Sequence, residues 1–132
     1  MKSKKKILLV DDDIELLEQN KAILEERGYN VITAENSIEA IEKFTVYKPD
    51  IAIIDLIMEE YDSGFVLSYK MKKTEYGKNI PIYILTSSAF DTGFKFSADS
   101  EEESEWLKCD GILNKPIVID EFLLKLENFS KN

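Results

Sequence analysis

The sequence predicts an α/β protein, a doubly wound three-layer sandwich with helices on both faces of one five-stranded parallel sheet. Short apolar runs alternate with longer amphipathic stretches along the chain, without internal repeat or low-complexity linker. The first, third and fourth runs are apolar at successive positions, as strands covered on both faces are. The 132 residues, 44% hydrophobic and 33% charged, suffice for one core and leave no room for two. One domain over residues 1–132 is therefore expected, with residues 1–5 as a basic lead-in.

In order, Ile7-Leu8-Leu9-Val10 reads as the first strand, and Asp12 or Asp13 can cap the helix after it. That helix carries Leu16, Leu17, Ile23 and Leu24 on one face and stops at Gly28, a usual residue just past a helix end. The second strand is Asn30 to Ala34. Ser37 with Ala40, Ile41 and Phe44 makes the second helix, which ends before Pro49 because proline cannot continue it. Ile51 to Ile54 is the third strand, and Gly64 opens a helix holding Leu67 and Met71. Ile82 to Leu85 is the fourth strand. Beyond it, Ala89 to Ser100 mixes Phe90, Phe94 and Phe96 with Asp91, Gly93 and Asp99 without a clean period, and helix is expected from about Ser100 to Lys108. Gly111 to Leu113 is the fifth strand. The last helix runs from about Ile119, with Phe122, Leu123, Leu126 and Phe129 at helical spacing.

Seventeen basic against 26 acidic residues give a net charge of −9, which opposes binding to nucleic acid or an anionic membrane. There is no histidine and one cysteine, Cys109, so histidine-based triads, histidine-ligated zinc and structural cysteine clusters are excluded. Cys109 reads as a small packing residue, and a lone cysteine argues for a reducing compartment. The lysines at the start precede an apolar run of only four residues, Ile7 to Val10, too short for an export signal. No apolar run reaches the roughly 18 residues of a membrane span. A cytoplasmic protein is expected.

In sheets of this kind ligands sit beyond the carboxyl ends of the strands, where the winding reverses. There the chain offers Asp11 and Asp12, Asp55, Thr86 and Lys115. One aspartate at a strand end is an ordinary helix cap, whereas five matched positions on one edge are hard to obtain by chance. Converging carboxylates about 5 Å apart cost on the order of 3 kcal/mol per pair at an effective dielectric of 20, and a divalent cation offsets that cost. Hard oxygen donors without histidine or thiolate favour Mg2+ over zinc. Such a site suits phosphoryl transfer with a carboxylate as nucleophile.

Four segments together, Ile7-Leu8-Leu9-Val10-Asp11-Asp12-Asp13, Pro49 to Met58 around Asp55, Ile84-Leu85-Thr86-Ser87 and Asn114-Lys115-Pro116, resemble the receiver domain of two-component response regulators. The likeness spans essentially the whole chain and is to the stand-alone, CheY-like type. It implies a flavodoxin-like sheet of order 2-1-3-4-5. By the resemblance Asp55 is the phosphoacceptor, supplied by the phosphohistidine of a histidine kinase or histidine phosphotransfer protein. Asp12, Asp55 and the Ile57 backbone carbonyl would hold Mg2+, with Asp11 acting through a water. Lys115 would pair with phosphoryl oxygens, Thr86 would turn inward to hydrogen-bond the phosphoryl group, and Lys115-Pro116 would be cis. Asp13 is expected to cap a helix and not to bind metal.

Departures from the family pattern also carry expectations. The loop Met58 to Gly64 is one residue longer than the common form and lacks its proline. Ile112 stands where an aromatic switch residue is usual, so Thr86 must couple to something else. Thr86 and Lys115 lie 115 − 86 = 29 residues apart, and the extra length falls in Ala89 to Glu105, a candidate partner-binding element or a loop packed on Trp106. Ile57 and Ser88 carry no charge to orient a hydrolytic water, which predicts slow self-dephosphorylation. No output segment follows Asn132, so output is expected through a downstream protein, contacted by the fourth-helix region, the fifth strand and the last helix, with homodimerisation left open. Two rival readings compete with this one. A haloacid-dehalogenase-type phosphohydrolase would use the Asp-x-Asp at Asp11 to Asp13 but leaves Asp55 unexplained. A pseudo-receiver would keep the fold as an interaction module without a phosphate cycle.

Overall fold

A computed structural model describes residues 5–58, 63–86 and 109–130. The expected helix from Ser100 to Lys108, the segment Ala89 to Glu105, Ser87, Ser88 and most of the basic lead-in lie outside them. Five parallel strands, β1 (Lys6–Val10), β2 (Asn30–Ala34), β3 (Ile51–Asp55), β4 (Ile82–Thr86) and β5 (Gly111–Asn114), form one sheet in the order β2-β1-β3-β4-β5. The helices are α1 (Ile14–Glu26), α2 (Ser37–Tyr47), α3 (Ser63–Lys72) and α4 (Ile119–Ser130). A short 3₁₀ turn, Gly77–Asn79, leads into β4.

The helices divide between the two faces because strand side chains alternate. Leu8, Val10, Ala52, Ile54, Ile82 and Ile84 form one core with Ala40 and Phe44 of α2 and Leu67 and Met71 of α3, and Cys109 packs there as expected. Ile7, Leu9, Ile51, Ile53, Tyr83, Leu85 and Leu113 form the other with Leu17 and Leu24 of α1 and Phe122 of α4. β3 and β4 are buried at every position, which explains their unbroken apolar runs.

Local chemistry sets the helix ends. Asp13, not Asp12, caps α1, accepting the Leu16 N–H at 3.2 Å, and Gly28 beyond its end has φ +95°. Asn36 caps α2 through the Glu39 N–H at 2.8 Å, and Lys48 closes that helix in the left-handed region before Pro49. On α1, Leu16 and Ile23 are only half-buried, and the third fully buried residue beside Leu17 and Leu24 is Asn20.

The amino edge of the sheet is tied by Lys72 at the end of α3 and Asp110 just before β5, an ion pair of 2.6 Å. Asp110 also accepts the Ile82 N–H at 2.8 Å, and Lys72 donates to the Ile80 carbonyl at 2.6 Å. Charges and backbone groups are matched there. Among the described residues no helix is long and apolar enough to cross a membrane.

Candidate functional site

The winding reverses between β1 and β3, and β1 and β3 pair with Val10 opposite Ile54. The next residues, Asp11 and Asp55, therefore stand side by side as the two strands leave the ladder. Asp11 is fully buried and Asp55 nearly so, while Asp12 is exposed. One carboxylate oxygen from each of Asp11, Asp12 and Asp55 lies within 4.8 Å of the others.

Lys115 reaches the cluster from the loop after β5. Its Nζ is 2.7 Å from Asp55 Oδ1 and 3.3 Å from Asp11 Oδ2. Its backbone N–H donates to the Thr86 carbonyl at 2.9 Å, and its peptide bond to Pro116 is cis, as the sequence resemblance implied. Thr86, at the end of β4 opposite Asn114, is buried. Asp11 Oδ1 accepts the Asp13 N–H at 3.0 Å, which ties the first acid to the cap residue of α1.

Gly64 lets α3 start directly beneath the phosphoacceptor candidate. A Cβ there would lie 2.5 Å from the Asp55 carbonyl oxygen and 2.6 Å from Leu56 Cα, and the Gly64 N–H donates to the Leu56 carbonyl at 2.7 Å. A side chain would have to push α3 off the end of β3.

The electrostatics are unbalanced. Among the described residues, three carboxylates against one ammonium leave 1 − 3 = −2 formal charges in the cluster. Burial pushes the Asp55 carboxyl up to about 6; the hydrogen bond from Lys115 opposes the rise, and Asp11 and Asp12 add to it. Burial works against the Lys115 ammonium, yet its hydrogen bond to Asp55 and the charge of Asp11 hold it above the ordinary lysine range. Asp11 Oδ2 is buried and, among the described residues, meets the Lys115 ammonium at 3.3 Å without a well-formed hydrogen bond. A hard divalent cation fits this donor set, since it cancels the two excess negative charges.

The five residues at the strand ends thus fall on one edge, with three carboxylates and the lysine in mutual reach. Ile57, the expected carbonyl donor, is half-exposed in the loop after β3. Ile112 is half-buried against the core of α2 and α3 and offers no ring to that edge. A groove of about 1010 Å³ between α2 and α3, with Ile38, Ile41, Val66 and Leu67 in its walls, includes none of the five.

A doubly wound parallel sheet with acids at the β1/β3 crevice and a lysine beyond β5 defines a class, the aspartate-bearing signalling domains of two-component systems. Residues 7–127 match the response regulator receiver domain, and the chain belongs to that family. It is 31% identical over 126 residues to Protein PilH of Pseudomonas aeruginosa, covering 93% of this chain and 94% of PilH. It is also 31% identical over 121 residues to Response regulator protein GraR of Staphylococcus epidermidis, covering 92% of this chain and 49% of GraR, so the chain spans about half the length of that relative. Chemotaxis response regulator CheY4 of Vibrio cholerae superposes with a TM-score of 0.75 at 26% identity, over 96% of this chain and 99% of CheY4. The receiver resemblance drawn from the motifs and the flavodoxin-like strand order 2-1-3-4-5 are both borne out.

Proposed function

We propose that this receiver domain accepts a phosphoryl group on Asp55 from the phosphohistidine of a histidine kinase or histidine phosphotransfer protein, in a Mg2+-dependent reaction, and signals through phosphorylation-dependent protein contacts. The observation that carries the reading is the buried Asp55 carboxylate held at 2.7 Å by Lys115 beside two further acids. Asp12, Asp55 and the Ile57 carbonyl would hold Mg2+, with Asp11 through a water, and the ion would supply charge neutralisation at the phosphoryl oxygens.

The chain's own residues supply the rest. With its carboxyl pushed up to about 6, Asp55 is still ionised at neutral pH and can act as the nucleophile. Its oxygen attacks phosphorus as the P–N bond to the donor imidazole breaks, and the imidazole leaves with its proton. Lys115 shifts from the Asp55 oxygen to the incoming phosphoryl oxygens, so its charge stays paired throughout. Thr86, buried at the end of β4, turns its hydroxyl to the new group. Ile57 presents no charge beside Asp55, which favours a phosphoryl lifetime of minutes or longer. Val118, just before α4, and Leu124 on it, exposed at 55% and 58%, offer this end of the chain as part of the output surface together with β5. The net charge of −9 agrees with protein partners and disfavours nucleic-acid or anionic-membrane contact, and the lone cysteine agrees with a reducing, cytoplasmic setting.

Intact mass after incubation with Mg2+ and a small acyl phosphate tests the reading. One phosphoryl group is expected on the parent chain and none on Asp55→Asn. No adduct on either, with the fold intact, would replace this reading with that of a pseudo-receiver.

A further inference from the structure

We infer that Asn20, in the middle of α1, is a positioning residue for Lys115. The inference rests on the reading of Lys115 as the countercharge to the phosphoryl group. Asn20 is fully buried, on the apolar stripe between Leu17 and Leu24. Its Oδ1 accepts the Ile117 N–H at 3.0 Å, a buried hydrogen bond across 97 residues of sequence. The price is visible in the same side chain, for Nδ2 is buried and has no hydrogen-bond partner among the described residues. A leucine at this place would bury no such group, so the amide is explained by what its oxygen holds.

What it holds is the far side of the lysine loop. Lys115 is fixed on the near side by its own N–H on the Thr86 carbonyl at 2.9 Å. Pro116 follows and has no N–H to offer, so the next backbone donor is that of Ile117, 4% exposed and out of reach of solvent. Asn20 takes that donor. Lys115 is therefore clamped between β4 and α1, two rigid elements.

The choice of α1 matters, because α1 grows directly from the acid loop. Asp11 and Asp12 precede its cap Asp13, and Asn20 lies about two turns further on. One helix thus carries the reference point for the acids at its start and for the lysine at its middle. The loops after β1 and β5 are not adjacent in the sheet, since β3 and β4 separate their strands. The Asn20 bond fixes the ammonium relative to the carboxylates independently of those intervening strands. Misplacement by about 1 Å is enough to cost orders of magnitude in a positioned reaction.

The test is run on the full chain with Asn20→Leu, which keeps the volume and removes the acceptor, and Asn20→Asp, which keeps an oxygen facing Ile117. Three readouts are compared: hydrogen exchange of the Ile117 amide, Mg2+ affinity by calorimetry, and affinity for beryllofluoride, a phosphoryl mimic, at saturating Mg2+. In Asn20→Leu the Ile117 amide is expected to exchange about tenfold faster or more, Mg2+ to bind within about twofold of the parent, and beryllofluoride to bind about tenfold more weakly. Asn20→Asp is expected to recover part of that loss. Beryllofluoride binding within twofold of the parent in Asn20→Leu would overturn the inference. So would parallel losses of Mg2+ and beryllofluoride in both variants, which mark a purely structural residue. If Asn20→Leu does not fold, Asn20→Ser carries the same comparison. Should the parent bind no beryllofluoride and Lys115→Ala change nothing, the reading of Lys115 itself falls, whereas a parent that binds normally isolates any failure to Asn20.

Discussion

The two edges of the sheet use the same residue types to opposite ends. At the amino edge, Lys72 and Asp110 meet at 2.6 Å, and each also satisfies a backbone group, the Ile80 carbonyl and the Ile82 N–H. At the carboxyl edge, among the described residues, one lysine faces three clustered carboxylates, and it meets the buried Asp11 oxygen only at 3.3 Å. A matched pair ties α3, β4 and β5 together and has nothing left to bind. An unmatched cluster holds the molecule together less well and retains the capacity to take a cation and an anion. Charge placed in a protein interior is structural when balanced in place and functional when balanced only by a ligand.

The comparison breaks most sharply at the lysines. Lys115→Ala is expected to slow phosphorylation by acyl phosphate about a hundredfold, the scale for losing one preorganised donor at a developing charge; mass spectrometry against time reads it, and an unchanged rate would leave Lys115 a structural partner of Asp55. Mg2+ should separate the edges next. At a hundred times its dissociation constant it is expected to raise unfolding free energy by about 2.7 kcal/mol, a gain lost in Asp12→Ala and kept in Asp110→Ala when both are melted in urea. Asp110→Ala should itself cost about 2 kcal/mol, since it strands Lys72 and the Ile82 N–H, both largely buried. Its phosphorylation rate is expected within twofold of the parent.

The smallest effect is the most diagnostic. Asp55 has a folded pKa of about 6 against an ordinary 3.8, so the folded state holds this proton more tightly than the unfolded one. Its contribution to stability in metal-free protein is therefore present below pH 4 and lost as pH rises to about 6. Asp55→Asn removes that loss and is expected to be more stable than the parent at pH 7 by on the order of 1 kcal/mol. Denaturant titrations with a chelator at pH 4, 5, 6 and 7 read the difference, and a constant gap between the chains would show that Asp55 is not the strained acid.

Most of the fold was legible because it is written in periods: apolar runs of strand length, helical stripes, and Pro49 and Gly28 as stops. The strand ends were read short. Asp55, Thr86 and Asn114 look like loop residues by polarity, yet β3, β4 and β5 include them because one more backbone pairing outweighs their side-chain preference. The charged edge was legible because β–α junctions put residues of distant sequence on one line. Asn20 was not singled out, although a polar residue three after Leu17 and four before Leu24 breaks an apolar stripe and is the signal that could have found it. The Lys72–Asp110 tie, across 110 − 72 = 38 residues, depends on the neighbours that sheet order assigns, and no local pattern announces it.

The pairing of Val10 with Ile54 has one more consequence, for the choice among ions. Asp11 and Asp55 follow those positions directly, so their separation is set by the spacing of two hydrogen-bonded strands, about 4.8 Å, and not by side-chain packing. Substitutions in either core can loosen or tighten the protein without altering that gauge. Preference between a smaller and a larger divalent ion must then be tuned from ligands off the ladder: exposed Asp12 and the chain beyond Leu56. In the proposed ion site the two strand-end carboxylates would form a fixed jaw, and the loops the adjustable one.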